Sequence, residues 1–213
     1  LVNKLAEKSI SVIGDSCWHC HAGIGSFPLQ IATKFKIPLL VWGESVAEND
    51  GREGHGCAVT KFDRDYFTKV SAKLTAEEMV DEKLSSKDMY PFELPTYKEI
   101  DDTGVYGVHL GDYIFWDDEK QTEWIRDTYG WKETEIEGTY KGYKSAECIM
   151  SGMHDFTNYL KRGYGRATVQ AAVDVRNGLL TRKEGFELIS KYDQEIPEAL
   201  DYYLYITNLS DEK

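Results

Sequence analysis

Ile37-Pro38-Leu39-Leu40-Val41-Trp42-Gly43-Glu44 is the stretch that decides the fold. The run from Ile37 to Trp42 is apolar throughout and of strand length, and a glycine closes it. A strand apolar at every position has both faces covered, which is the condition of strands inside parallel sheets. Just upstream, Ile24, Phe27, Ile31 and Phe35 recur at helical spacing, so a helix over about 24–36 feeds the strand. Pro28 is expected near that helix's start, where its missing N–H does little harm. Helix then buried strand is half of a βαβ unit.

Working outward, residues 1–13 form a short amphipathic segment ending at Gly14-Asp15-Ser16, and Asp15 or Ser16 suits capping of the next helix. Residues 45–56 are polar and glycine-bearing, a loop. Thr75-Ala76-Glu77-Glu78 has capping-box spacing and opens a short helix. Val105 to Phe115 alternates and carries aromatics, which predicts a second strand followed by a turn. A helix over 119–129 closes at Gly130. From Ser145 onward the chain reads as helical. One helix stops at Gly163, a second over 166–176 ends at Asn177-Gly178, a third opens with Thr181-Arg182-Lys183-Glu184, and a fourth carries Pro197 in its first turn. The expected class is α/β: a partial Rossmann-like parallel sheet with flanking helices in residues 1–132, then a helical C-terminal region, 133–213.

The chain's 213 residues suffice for one substantial core. Its 25 basic and 37 acidic residues leave a net charge of −12, which opposes a nucleic-acid partner, since phosphate neutralisation needs clustered Lys and Arg. No apolar run approaches the roughly 20 residues of a membrane span, so no membrane partner is expected. The sequence starts at Leu1 without the basic-then-apolar layout of a signal peptide. Four unevenly placed cysteines, Cys17, Cys20, Cys57 and Cys148, do not make a disulfide framework, and a reducing cytoplasm is expected.

Three constellations could carry chemistry. Cys17-Trp18-His19-Cys20-His21 matches the haem-attachment pattern, in which two thiols hold the porphyrin and His21 binds iron; that reading makes the chain a c-type haem electron carrier. The same pair can instead share a zinc ion or iron–sulfur cluster, with His19, His21, His55, Cys57 and Cys148 as candidates for the remaining ligands. Plain burial of the cysteines is the bland alternative. A pair beside two histidines favours the metal site. Second, Gly43 and Glu44 end the strand, where open α/β sheets bind ligands, and Asn49 lies just beyond; from these residues alone an ordinary strand-to-loop turn carrying solvated acids is the stronger reading. Third, Gly163-Tyr164-Gly165-Arg166-Ala167-Thr168 opens a helix whose free N–H groups would suit a phosphate, and Asp174 and Arg176 lie on the same helix. An inter-helix turn with a surface ion pair is the alternative there. No G-x-x-x-x-G-K-[ST], G-x-G-x-x-G or G-x-S-x-G occurs.

Cys17 through Ile24, Pro28 through Ala32 and Ile37 through Glu44, in that order, resemble the second half of the N-acetyl sugar amidotransferase family, within the PP-loop ATP pyrophosphatase, or adenine nucleotide α-hydrolase-like, superfamily. Asp155 through Thr168, Asp174 through Gly178, Thr181 through Gly185 and Lys191-Tyr192-Asp193 resemble its C-terminal helical region. The resemblance covers most of the chain and is weakest over 61–103. It implies conversion of an acetamido group on a bacterial surface-glycan or flagellar sugar to acetamidino. In that reaction ATP with Mg2+ adenylates the amide oxygen, and ammonia from a glutaminase-type partner displaces AMP. Implied site residues are Glu44 for catalysis, Gly43, Asn49, Arg166, Thr168, Asp174 and Arg176 for the amino-sugar or nucleotide-sugar substrate, and Cys17 and Cys20 for a metal.

The superfamily's Ser-Gly-Gly-x-Asp-Ser loop, which cradles pyrophosphate, does not occur here. The expectation is therefore a chain that begins midway through the nucleotide-binding domain and needs an N-terminal ATP-binding segment as partner. A C-x-x-C before such a helix–strand unit also resembles the iron–sulfur-dependent PP-loop tRNA sulfurtransferases, a reading that the acidic charge disfavours.

Overall fold

The computed structural model describes residues 1–43, 64, 67–114, 117–144, 146 and 148–209. Among these the chain is mixed α/β, with eight α-helices and one two-stranded parallel sheet. No described helix is long and apolar enough to cross a membrane. The first helix, α1, spans Val2–Ile13. Two compact units form: Leu1–Leu5 with Cys17–Asp117, and Ala6–Ser16 with Asp118–Lys213.

The first unit is organised by α2, Trp18–Phe35. Its buried residues Trp18, Ala22, Gly25, Ser26, Leu29 and Ala32 fall every three or four positions and so make one stripe. Trp18 is fully buried; its indole N–H donates to the Leu74 carbonyl at 3.1 Å and its ring meets Phe92 at 5.4 Å. A Cβ on Gly25 would lie 2.2 Å from the Phe67 ring, so a side chain there would force that ring to shift. The helix starts earlier than the sequence predicts, which puts Pro28 in its interior. The proline removes one donor from the helical ladder. Burial of Trp18 and Ala22, in the added turns, outweighs that loss. The helix ends at Lys36, left-handed with φ 55, and the Ile37 N–H returns to the Ala32 carbonyl at 2.9 Å.

Strand β1, Leu39–Trp42, pairs in parallel with β2, Tyr106–His109, Leu39 opposite Tyr106 and Trp42 opposite His109. Helix α3, Tyr97–Thr103, delivers β2: Thr96 and Glu99 form a capping box at its start and Gly104, φ 65, ends it. Leu40, Leu94 and Ile100 pack on buried Leu29, Ala32 and Val105, so one sheet face rests on α2. The other face carries Leu39, Val41 and Tyr106, which are 42%, 55% and 56% exposed. This corrects the interior-strand expectation. The run is a parallel strand, but among the described residues it has one strand neighbour and one covered face.

The second strand is also shorter than expected. Leu110–Asp112 turns into a 3₁₀ segment, with the Tyr113 N–H on the Leu110 carbonyl at 3.0 Å, and Phe115 lies outside the described residues. Thr75 and Glu78 make the reciprocal bonds of a capping box, at 2.7 and 3.3 Å, ahead of a 3₁₀ turn.

The second unit is helical: α4 (Asp118–Tyr129), α5 (Ser151–Arg162), α6 (Arg166–Arg176), α7 (Arg182–Tyr192) and α8 (Ala199–Thr207). Its core joins Ala6 and Ile10 of α1 to Met150, Met153, Leu200 and Tyr203. The Tyr203 hydroxyl donates to the Ala6 carbonyl at 2.7 Å, so the buried phenol is satisfied. Helix α5 begins at Ser151, not Ser145. Gly163 (φ 78) ends it in the left-handed region, and Gly178 (φ 73) follows α6 in the same way. Gly185 lets α7 approach α6, since a Cβ there would stand 3.1 Å from Val175.

Candidate functional site

The charged residues of the second unit converge on α6. Arg166, Gln170 and Asp174 lie one turn apart and form a polar stripe, while Ala167 and Ala171 are fully buried. Each stripe residue is engaged. Arg166 donates to both Asp155 oxygens of α5, Nε at 2.5 Å and Nη2 at 3.1 Å. Gln170 accepts from the Thr139 hydroxyl at 2.7 Å. Asp174, nearly inaccessible, accepts from the Tyr140 hydroxyl at 2.6 Å and from Lys141 Nζ at 2.9 Å. The stripe thereby fastens the 139–141 segment to the helix.

Around it the charges are paired. Lys141 also faces Glu119 at 3.6 Å, and Lys144 contacts Asp118. His154 stands between two carboxylates, with Nδ1 3.4 Å from Asp155 and Nε2 3.9 Å from Asp15. Burial opposes ionisation of Asp155, but hydrogen bonds and charges from His154 and Arg166 outweigh it and hold its pKa below the ordinary value. Burial likewise opposes the Lys141 charge, and the Asp174 hydrogen bond with the charges of Asp174, Glu119 and Asp118 overcomes it, raising that pKa. Tyr140 is raised by burial and then by Asp174, so its phenol remains a neutral donor.

The N-terminus of α6 holds an anion already. Asp193 accepts from Gly165 N and Ala167 N at 2.9 Å each, and from the N–H and hydroxyl of Thr168. A Cβ on Gly165 would sit 2.6 Å from the Asp193 carboxylate, which is why glycine precedes this helix. The expectation of free N–H groups awaiting a phosphate is thus corrected: a carboxylate of the chain itself occupies them. Helix α8 repeats the device, with Glu137 accepting from Glu198 N at 2.5 Å and Ala199 N at 3.4 Å, while Glu137 also presses on Gly152. Glu137, Gly152, Asp155, Gly165 and Asp193 line one crevice.

Of the sequence-predicted residues, Arg166, Thr168 and Asp174 meet in this network and Arg176 is exposed at the end of α6. Gly43 follows β1, in the first unit; Glu44 and Asn49 lie outside the described residues. Cys17 caps the start of α2, half-buried, and Cys20 is exposed in its first turn. His55 and Cys57, candidates for the remaining ligands of a metal held by this pair, lie outside the described residues. Sequence reasoning gave no role to Glu137, Tyr140, Lys141, His154 or Asp193. One signal was there: Gly165 opens α6 without a capping side chain of its own, so the cap had to come from elsewhere in the chain.

In this arrangement the helix ends of α6 and α8 are capped by carboxylates of the chain itself, so an anion binding at either would have to displace a carboxylate. A search of curated proteins finds no match for the chain. Residues 137–213, the segment that holds this network, match the family model described as LPS biosynthesis protein WbpG-like, C-terminal domain.

Proposed function

We propose that the chain serves lipopolysaccharide or related surface-glycan synthesis as part of an ATP-dependent N-acetyl sugar amidotransferase. The observation that carries this reading is the WbpG-like family match over residues 137–213. The ordered resemblance of Cys17 through Glu44 to the amidotransferase family supports it, as does a parallel helix–strand pair that suits a nucleotide-binding α/β sheet.

In the proposed reaction the acetamido oxygen is a poor leaving group until it is esterified to phosphate, after which ammonia attacks the carbon and AMP departs. No phosphate-cradling loop occurs in the sequence, and among the described residues the α6 N-terminus is closed by Asp193. No adenylation step is assigned to the residues of this chain. The reading requires a partner segment that carries the missing loop, and an ammonia-supplying subunit. What the chain contributes is the sugar-facing side. Arg176 is exposed for direct contact, and Arg166, Thr168 and Asp174 act through the partners that fix them.

The test is to co-purify the chain with an ATP-loop segment and supply ATP, ammonium and a nucleotide sugar bearing an N-acetyl group. Acceptor-dependent AMP release, with exchange of the amide oxygen for nitrogen seen by mass spectrometry, is expected. AMP release indifferent to the acetamido group, or sulfur delivered to tRNA instead, overturns the proposal.

A further inference from the structure

Cys17 and Cys20 form a motif that the proposed reaction does not use. They flank the first turn of α2, where the Cys20 N–H donates to the Cys17 carbonyl at 2.9 Å. A turn closed by that bond brings the two Cα atoms to about 5 Å, inside the roughly 4.4–6.8 Å span of disulfides. Trp18, between them, is buried and anchored by its indole to Leu74 and its ring to Phe92, so the turn is held while Cys20 stays exposed. Solvent access on one thiol and a second within bridging distance, half-buried, are what attack and resolution require.

We propose that Cys17 and Cys20 are a redox-active dithiol whose co-reactant is a disulfide, protein-borne or low-molecular-weight. The exposed Cys20 sulfur, as thiolate, attacks one sulfur of R–S–S–R′; the S–S bond breaks and R′S⁻ leaves and takes up a proton. Cys17, losing its proton, then attacks the Cys20 sulfur of the mixed disulfide and expels RS⁻, which is protonated in turn. Two electrons pass from the cysteine pair to the co-reactant, giving the Cys17–Cys20 bridge, RSH and R′SH. The inference is independent of the amidotransferase reading.

The experiment uses the full chain carrying Cys57→Ser and Cys148→Ser, equilibrated in glutathione redox buffers, trapped with a thiol alkylator and digested with trypsin. Loss of two hydrogens on the peptide after Lys8 and through Lys34, at a glutathione ratio independent of protein concentration, is expected. Adding Cys17→Ser should replace the bridge with one glutathione adduct on Cys20, and added dithiothreitol should reverse both. Separate adducts on both cysteines without a bridge overturn the proposal, and so does zinc bound by the reduced pair tightly enough to block oxidation. Circular dichroism of each variant separates a folding failure from a chemical one; should Cys17→Ser not fold, the wild-type pair in the same buffers decides by itself.

Discussion

The two units are ordered by different means. In the first, α2 gathers Trp18, Phe67, Phe92, Leu29 and Ala32 by shape, and glycine at position 25 yields to a ring. In the second, carboxylates far off in sequence hold helix ends and charged side chains: Asp193 on α6, Glu137 on α8, Asp155 on Arg166, Asp174 on Lys141. Apolar packing is non-directional and tolerates rearrangement, whereas a buried carboxylate with several donors has one geometry that works. The second unit should therefore be the more sensitive to single polar substitutions and to pH, and the first to changes of volume.

The largest expected effect is at Asp193. Asp193→Ala leaves the backbone N–H groups of Gly165, Ala167 and Thr168, the first two of them buried, and the Thr168 hydroxyl without this acceptor, each costing about 1–3 kcal/mol if water cannot reach it. A total loss of about 3 kcal/mol in urea unfolding is expected, with Asp193→Asn recovering part of it. A loss under about 1 kcal/mol would mean that the α6 terminus is not held in this way.

Asp155→Asn should come next, at about 2 kcal/mol near neutral pH, less than for a fully buried pair because Arg166 can turn to solvent. The pH dependence identifies the cause. The Asp155 pKa is depressed in the folded protein from an ordinary 3.8, so its contribution is present above that value and lost as pH falls through the folded pKa. Wild type should lose stability with acid more steeply than Asp155→Asn. Parallel acid profiles, measured as unfolding midpoints against pH, would remove Asp155 from the account.

In the first unit, Gly25→Ala pits two effects against each other. Alanine gains about 1 kcal/mol in helix propensity, but its Cβ would stand 2.2 Å from Phe67. Overpacking costs about 1–3 kcal/mol, so a net loss of about 1 kcal/mol is expected, and Phe67→Leu in the same chain should return most of it. Stabilisation by Gly25→Ala alone would show that the ring moves aside freely.

This contrast also explains what the sequence disclosed. Helices α6 and α7, the capping boxes and the left-handed glycines are local devices, and their residues lie within a turn or two of what they control. The parallel pairing of β1 followed from an unbroken apolar run, but its exposed face did not, because hydrophobicity says that a surface can be covered and not what covers it. Pro28 misled because tertiary burial of Trp18 overrode local cost. The sequence drew attention to Arg166, Thr168 and Asp174 on α6, but their partners sit 11, 25 and 33 residues away respectively, and no periodicity links them.

The smallest effect supplies the control, since among the described residues each unit contains an α-helix opened by the same capping box. Thr96 and Glu99 open α3; Thr181 and Glu184 open α7, with matching bonds of 3.2 and 3.3 Å from the third residue's N–H to the threonine hydroxyl. Because both ends of each bond lie on one exposed turn, the surroundings contribute little, and Thr96→Ala and Thr181→Ala should each cost about 1 kcal/mol. Glu99 and Glu184 both have depressed pKa values caused by their threonines, so both boxes should weaken together as pH falls through those folded values. Equal losses would locate the difference between the units in their long-range contacts. If Thr181→Ala instead cost several times as much as Thr96→Ala, the sensitivity of the second unit would extend to its local turns, and the division between packed shape and paired charge would have to be redrawn.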